Sequence, residues 1–255
     1  MTELKPVETR DLPHTPPGDR LCLFLDLDGT LAPIASDPAE VGPDSRRTAL
    51  LRGLVRRFDG RVAVLSGRPL DEIDRIGGGV VGPAAGTHGL ELRMPDGAVD
   101  APAPHPGLEP ARARFAAFAA TAEGLLVEDK ALSVGLHYRL APEQGEAARA
   151  LADELVAETG LTLQRGSMVV ELKTPGADKG EALRRLMQAA PFVGGAPVMV
   201  GDDLTDESAF VAAHELGGFG VLVGPPRETQ ARARLDGVAA TLDWLEGLAA
   251  LEAAA

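Results

Sequence analysis

The sequence predicts an α/β fold: a parallel sheet covered by helices on both faces, with a smaller α+β domain inserted into the chain. Three observations carry that expectation. Short continuous apolar runs alternate with helical patterns in the first hundred residues and again after Lys179. The middle of the chain places its strands in adjacent pairs, and a proline-rich stretch, DAPAPHPGLEP (residues 100–110), marks the change between the two patterns.

In chain order, the first strand is the apolar run 21–25, ended by Asp26, and a helical pattern follows over 44–58. The next strand is 62–65, and Pro69 suits the first turn of a helix over 69–75. A strand at 84–87 closes this part. In the middle, an alanine-rich helix near 111–120 precedes strands at 125–130 and 132–139, a helix over 142–159, and strands at 161–165 and 168–173. Tyr138, between His137 and Arg139, falls on the opposite strand face by alternation. The parallel pattern then resumes with a helix over 179–190, a strand at 198–200, a helix over 205–214 and a strand at 220–223. Trp244, in TLDWLEGL, has the spacing of a helix packing face. The expected organisation is a flexible tail (1–20), a core domain (21–100 with 175–250) and an inserted domain (101–174).

At 255 residues and 45% apolar composition the chain can bury a substantial core. Cys22 is the single cysteine, so neither an internal disulfide nor a cysteine-rich zinc site can form, and it reads as a small buried core residue. A net charge of −13 with no cluster of lysine and arginine excludes nucleic acid and anionic membrane surfaces as partners. No segment approaches the roughly 18 uninterrupted apolar residues of a membrane span, and the start of the chain is polar and proline-rich, so a cytoplasmic location is expected.

Chemistry concentrates where strands end. LFLDLDGTL (23–31) delivers Asp26 and Asp28 into a turn at Gly29; two apart in an extended chain, they would share a face and could aim at one ligand. Carboxylates at the tip of a buried strand repel each other and are costly to desolvate, so a cation is expected between them. Ser66 ends the second strand in LSGRP, where its hydroxyl and the neighbouring amides can hold an anion. Lys179 opens a helix, against the helix dipole, which suits a lysine aimed at an anion. In GDDLTDE (201–207) four acids, Asp202, Asp203, Asp206 and Glu207, follow an apolar strand; such hard oxygen ligands suit magnesium, and helix capping accounts for one or two of them only.

An acid pair, a serine, a lysine and an acid cluster at strand ends compose a phosphoryl-transfer site. One carboxylate attacks phosphorus while Mg²⁺ and Lys179 screen the negative charge; Asp28 can protonate the leaving oxygen and later deprotonate water. Ser66 and main-chain amides would hold the transferring oxygens.

DLDGT (26–30), SGR (66–68), DKG (178–180) and GDDLTDE, in this order and spacing, resemble the four motifs of the haloacid dehalogenase (HAD) superfamily of phosphatases. That resemblance implies a Rossmann-like core with a parallel sheet and an inserted α+β cap domain of the C2 type. GTHGLELR (86–93), EDKALSVGLHYR (128–139), MVVELK (168–173) and GDDLTDESAF look like segments of the trehalose-6-phosphate phosphatase family, so that the resemblance spans residues 21–245. It implies Asp26 as nucleophile, Asp28 as acid/base, and Mg²⁺ held by Asp26, the backbone carbonyl of Asp28 and Asp202, with Asp203 and Asp206 in support. Gly67 and Arg68 join Ser66 in holding substrate, and Glu128, Lys130, Arg139 and Glu171 line the sugar pocket.

The implied reaction is Mg²⁺-dependent hydrolysis of trehalose 6-phosphate through an aspartyl-phosphate, the last step of trehalose biosynthesis, by a monomer. The rivals are a phosphatase for another sugar phosphate, such as sucrose 6-phosphate or glucosylglycerol phosphate, and a non-catalytic sugar-phosphate sensor. One departure stands out: the family often has a Gly-Lys pair ahead of MVVE, where this chain has Gly166-Ser167 with Arg165 beside it. His88 reads as a turn residue that could also face the site.

Overall fold

The computed structural model describes residues 20–35, 38–166, 168–176 and 178–250. All but the last residue of the expected tail, and Ser167, lie outside the described residues. In chain order the elements are β1 (Leu21–Leu25), α1 (Ser45–Arg57), β2 (Val62–Leu65), α2 (Leu70–Gly77), β3 (Ala84–Gly86), β4 (Glu91–Arg93), β5 (Val99–Asp100), α3 (Leu108–Ala119), β6 (Leu126–Asp129), β7 (Ser133–His137), α4 (Gly145–Thr159), β8 (Thr162–Gly166), β9 (Val169–Lys173), α5 (Lys179–Met187), β10 (Ala196–Gly201), α6 (Glu207–Glu215), β11 (Phe219–Val223), β12 (Ala233–Leu235) and α7 (Val238–Ala250). The chain divides into two compact units, one formed by residues 101–176 with 203–205 and the other by the remainder.

The larger unit is built on a sheet of order β12-β11-β10-β1-β2-β3-β4-β5. From β12 to β3 all neighbours run parallel, while β4 and β5 turn back antiparallel at the edge. Strand alternation sorts the side chains into two cores. Leu21, Leu23 and Leu25 of β1, with Val62 and Val64 of β2 and Val198 and Val200 of β10, pack against Leu50, Leu51 and Leu54 of α1, Ile73 and Ile76 of α2, and Leu245 and Leu248 of α7. Cys22, Phe24, Ala63, Leu65 and Met199 point the other way, onto Leu183 and Leu186 of α5 and Ala209 and Phe210 of α6. With both faces covered, β1 is buried at all five positions, which is why its sequence is uniformly apolar instead of alternating. Burial pushes the Cys22 thiol up to about 11, leaving it an unreactive core group.

The helix ends follow local rules. The Asp44 carboxylate accepts from the Arg47 amide (2.8 Å) at the start of α1, and Asp178 accepts from the Glu181 amide (2.9 Å) at the start of α5. The smaller unit is an antiparallel sheet, β6-β7-β9-β8, with α3 and α4 on one face. Val134, Leu136, Val170 and Leu172 join Phe115 of α3 and Leu155 of α4 in a separate core. Tyr138 is buried in this core, with Arg149 of α4 against its ring.

Several expectations are refined. The strand expected at 84–87 stops at Gly86, because Thr87 and His88 adopt positive φ (46° and 55°). The helix expected from 142 starts with a 3-10 turn at Pro142–Gln144, and that from 205 starts with one at Leu204–Asp206. Three strands, β4, β5 and β12, were not expected: each is two or three residues long and carries no periodicity that could be read. Trp244 is half-buried and packs at the margin of the α1/α2/α7 core.

Phe115 is fully buried at the centre of the smaller unit's core. Phe115→Ala should cost about 3–5 kcal/mol, read as a lower urea midpoint together with faster amide exchange in β6 to β9 and unchanged protection in β1 and β2. An unchanged midpoint would contradict this packing.

Candidate active site

The alternation that sends Cys22 and Phe24 toward α5 and α6 continues to the first residue past β1, so Asp26 meets the start of both helices. Its amide donates to the Val200 carbonyl (2.9 Å), and its carboxylate is almost fully buried. Lys179, the first residue of α5, donates from Nζ to Asp26 Oδ1 (2.7 Å) and to Asp206 Oδ1 (2.6 Å). Both partners are buried, so a lysine placed against its own helix dipole is satisfied by two carboxylates.

Asp26, Asp202 and Asp206 bring carboxylate oxygens within 4.8 Å of one another. Three carboxylates thus gather around one ammonium. Burial pushes the Asp26 carboxyl well above its ordinary range and the Asp206 and Asp202 charges push the same way, with Lys179 opposing. Lys179, although desolvated, is held above its ordinary value by the Asp206 and Asp26 carboxylates, so it stays an ammonium. Hard oxygen ligands of this kind suit a divalent cation, and the donor set fits one. Gly29 (φ 84°) lets the loop pass Asp202: a Cβ there would collide with the Asp202 carboxylate.

Asp28 does not share this cluster through its carboxylate. The chain turns tightly after Leu27, whose carbonyl accepts from the Leu31 (2.9 Å) and Ala32 (2.8 Å) amides, so the extended geometry that would keep the two acids on one face is lost. Asp28 instead forms a fork with Arg68, Oδ2 accepting from Nε (2.7 Å) and Oδ1 from Nη2 (2.8 Å). Arg68 is braced by Glu72 (3.4 Å). Ser66, at the end of β2, is buried, its hydroxyl accepting from the Arg68 amide (3.1 Å). Gly67 lies under the His88 ring, which leaves no room for a Cβ. The loop that carries the ring holds Thr87, His88 and Gly89 at positive φ and is tied by its amides to the carbonyls of Ser66 and Arg68 (both 2.9 Å).

The four acids of GDDLTDE separate. Asp202, just past β10, and Asp206, at the end of the 3-10 turn, reach the cluster, whereas the Asp203 carboxylate accepts from the Leu204 amide (2.8 Å). Glu207 turns to the segment after β11, accepting from Arg227, Thr229 Oγ1 (2.8 Å) and the Gln230 amide (2.7 Å). Asp206 was expected only as support; the direct pairing with Lys179 was visible in neither spacing nor order. Arg227, which also donates to the Asp202 carbonyl (3.3 Å), carried no sequence signal at all.

In the smaller unit, the sheet face opposite α3 and α4 carries a polar row. Glu128 of β6, Gly135 of β7 and Glu171 of β9 stand in register, with Ser133 and His137 two residues to either side. Lys130 Nζ bridges Glu171 (3.2 Å) and Glu128 (3.3 Å), the Ser133 hydroxyl donates to Glu171 (2.5 Å), and His137 Nε2 hydrogen-bonds Glu128 (3.0 Å). Burial pushes the Glu128 carboxyl up, but the His137 hydrogen bond and the Lys130 charge outweigh it and hold the group below its usual range. Lys130 is desolvated yet held above its ordinary value by Glu171 and Glu128. Three of the residues expected to meet the sugar thus stand together; Arg139, two residues beyond β7, is half-buried. Arg165 donates to Asp153 of α4 (2.7 and 3.0 Å).

The trehalose-phosphatase family model matches residues 24–239. A probable trehalose-phosphate phosphatase of Sinorhizobium fredii is 37% identical over 82% of this chain and 79% of its own length. The trehalose-6-phosphate phosphatase of Escherichia coli K12 is 38% identical over 93% of this chain and 90% of its own. A crystal structure of a trehalose-6-phosphate phosphatase related protein superposes with a TM-score of 0.74 at 26% identity, covering 90% of this chain and 96% of that one.

Lys179→Ala leaves Asp26 and Asp206 buried without their ammonium, an expected loss of about 3–5 kcal/mol in metal-free urea unfolding. Added magnesium should recover part of it. No loss in the metal-free protein would contradict the pairing.

Proposed function

Because this chain belongs to the trehalose-phosphatase family, we propose that it hydrolyses trehalose 6-phosphate to trehalose and phosphate with Asp26 as the nucleophile. Its fold is that of the HAD phosphatases, an α/β core with an inserted α+β domain, and the protein is a phosphoric monoester hydrolase acting on a sugar phosphate. The single observation that supports this reading best is the buried Asp26–Lys179–Asp206 constellation beside Asp202. A pocket that merely bound a sugar phosphate would gain nothing from placing a buried carboxylate where the anion must sit.

Each residue then has a task. Lys179 fixes Asp26 Oδ1 and draws the phosphoryl oxygens toward an otherwise acidic site. Asp26 attacks phosphorus, forming an Asp26 O–P bond as the bond to the sugar oxygen breaks, and Asp28 delivers a proton to that oxygen. Asp28, now a carboxylate oriented by Arg68, takes a proton from water as the water oxygen attacks phosphorus; the Asp26 O–P bond breaks and phosphate leaves. The Ser66 hydroxyl and the Gly67 and Arg68 amides hold the transferring oxygens. Asp26, Asp202 and the Asp28 carbonyl would hold Mg²⁺, which when bound screens the charge between nucleophile and phosphate.

Trehalose offers many hydroxyls and no charge, so its recognition calls for fixed carboxylates and cations. We assign that role to Glu128, Lys130 and Glu171, which hold one another in place on the polar sheet face, and to Arg139. No described helix is long and apolar enough to cross a membrane; a cytoplasmic monomer is the reading we adopt.

Phosphate release with Mg²⁺ should be fastest by far on trehalose 6-phosphate, compared with sucrose 6-phosphate, glucose 6-phosphate and p-nitrophenyl phosphate. Equal rates on all four would remove the substrate assignment, and binding without release would favour a sensor. In rapid-quench measurements of the first step, Asp28→Asn should slow transfer of the phosphoryl group from sugar phosphates far more than from p-nitrophenyl phosphate, whose leaving group needs no proton; an equal loss in that step on both would take the acid role from Asp28. Glu171→Gln should raise KM for trehalose 6-phosphate about tenfold, by the loss of a charge-assisted hydrogen bond, and leave p-nitrophenyl phosphate unaffected.

A further inference from the structure

The acid cluster is held from behind by residues that the reaction does not use. After β11, Gly224 (φ 102°), Pro225 and Pro226 turn the chain so that residues 227–230 lie against the first turn of α6. There the Glu207 carboxylate is fully engaged: Oε1 accepts from Arg227 Nη1 and from Thr229 Oγ1 (2.8 Å), and Oε2 accepts from the Gln230 amide (2.7 Å). The same Arg227 group donates from Nη1 to the Glu228 carbonyl (3.0 Å) and from Nη2 to the Asp202 carbonyl (3.3 Å).

This geometry removes Glu207 from any direct role in holding a cation, although it belongs to the acid run, because both its oxygens face donors of the 227–230 segment. It also gives the Asp202 peptide an external anchor. Asp202 sits between Gly201, where a Cβ would strike Asp206, and the 3-10 turn that carries Asp206, so its carboxylate direction depends on how this one peptide is set. A planar guanidinium forked between Glu207 and the Asp202 carbonyl sets it in a way that a flexible ammonium would not.

We propose that Arg227 and Glu207 are a positioning pair that tunes the affinity of the Asp26–Asp202–Asp206 cluster for its divalent cation without touching cation or substrate. The inference rests on Asp202 being a ligand. Groups that orient metal ligands from behind typically change metal affinity 10- to 100-fold when removed.

The test measures Mn²⁺ binding to the intact protein by electron paramagnetic resonance of the free ion, alongside metal-free thermal unfolding. Arg227→Gln should raise the Mn²⁺ Kd at least about tenfold while kcat at saturating cation stays near the parent value; Glu207→Gln should weaken binding less, and Arg227→Lys should recover only part of the loss. Asp202→Asn is the control. If it leaves Mn²⁺ affinity unchanged, the assignment of the metal site itself fails. If it abolishes binding while Arg227→Gln and Arg227→Lys bind as the parent does, the positioning role alone is overturned. Should Arg227→Gln not fold, Arg227→Lys carries the test, and a parental Kd in it with a lowered metal-free melting point would assign Arg227 to stability only.

Discussion

One buried ammonium organises this protein. Lys179 brings a positive charge to the carboxyl ends of the parallel strands, where it is shared by Asp26 and Asp206, and without it neither acid could be desolvated at tolerable cost. The arrangement is unfavourable by each local rule taken alone: a lysine at a helix N-terminus, a carboxylate on the end of a fully buried strand, a second carboxylate at zero exposure. Together these groups offset one another. The acid-rich cluster they form is where a divalent cation and an approaching phosphate would meet.

Strand alternation links that site to the core. The period of two that sends Leu21, Leu23 and Leu25 onto α1, α2 and α7 sends Cys22 and Phe24 onto α5 and α6, and Asp26 is the next residue in the second series. The smaller unit repeats the logic with different content. Val134 and Leu136 enter its core, while Ser133, Gly135 and His137 line the face that carries Glu128, Lys130 and Glu171. Gly135 at the centre of that row puts no side chain between the two glutamates.

The fold was legible wherever a segment had to bury a periodic face. The central strands, α1, α5 and the paired strands of the smaller unit lie where apolar patterning placed them, and the motif ends pointed to the acids, the serine and the lysine. What escaped was set by tertiary contact. The antiparallel edge, β4 and β5, is too short to carry a pattern, and β12 is specified mainly by its place beside β11. Asp26 and Asp28 were expected to face one ligand, yet the turn after Leu27 gives them different cations, Lys179 and Arg68, because a two-residue spacing keeps its meaning only while the chain stays extended. Asp206 and Glu207, adjacent in sequence, turn to different partners, Lys179 and the 227–230 segment, and composition cannot distinguish two neighbouring acids.

The central claim is that Asp26, held by Lys179 and screened by a divalent cation, is the carboxylate that attacks phosphorus. Rapid quenching of the enzyme during turnover of trehalose 6-phosphate, borohydride reduction and peptide mass spectrometry tests it directly. The expected result is homoserine at position 26 alone, formed only when Mg²⁺ is present. Reduction at Asp28, Asp202 or Asp206, or turnover with no reducible acyl phosphate on the chain, would contradict it.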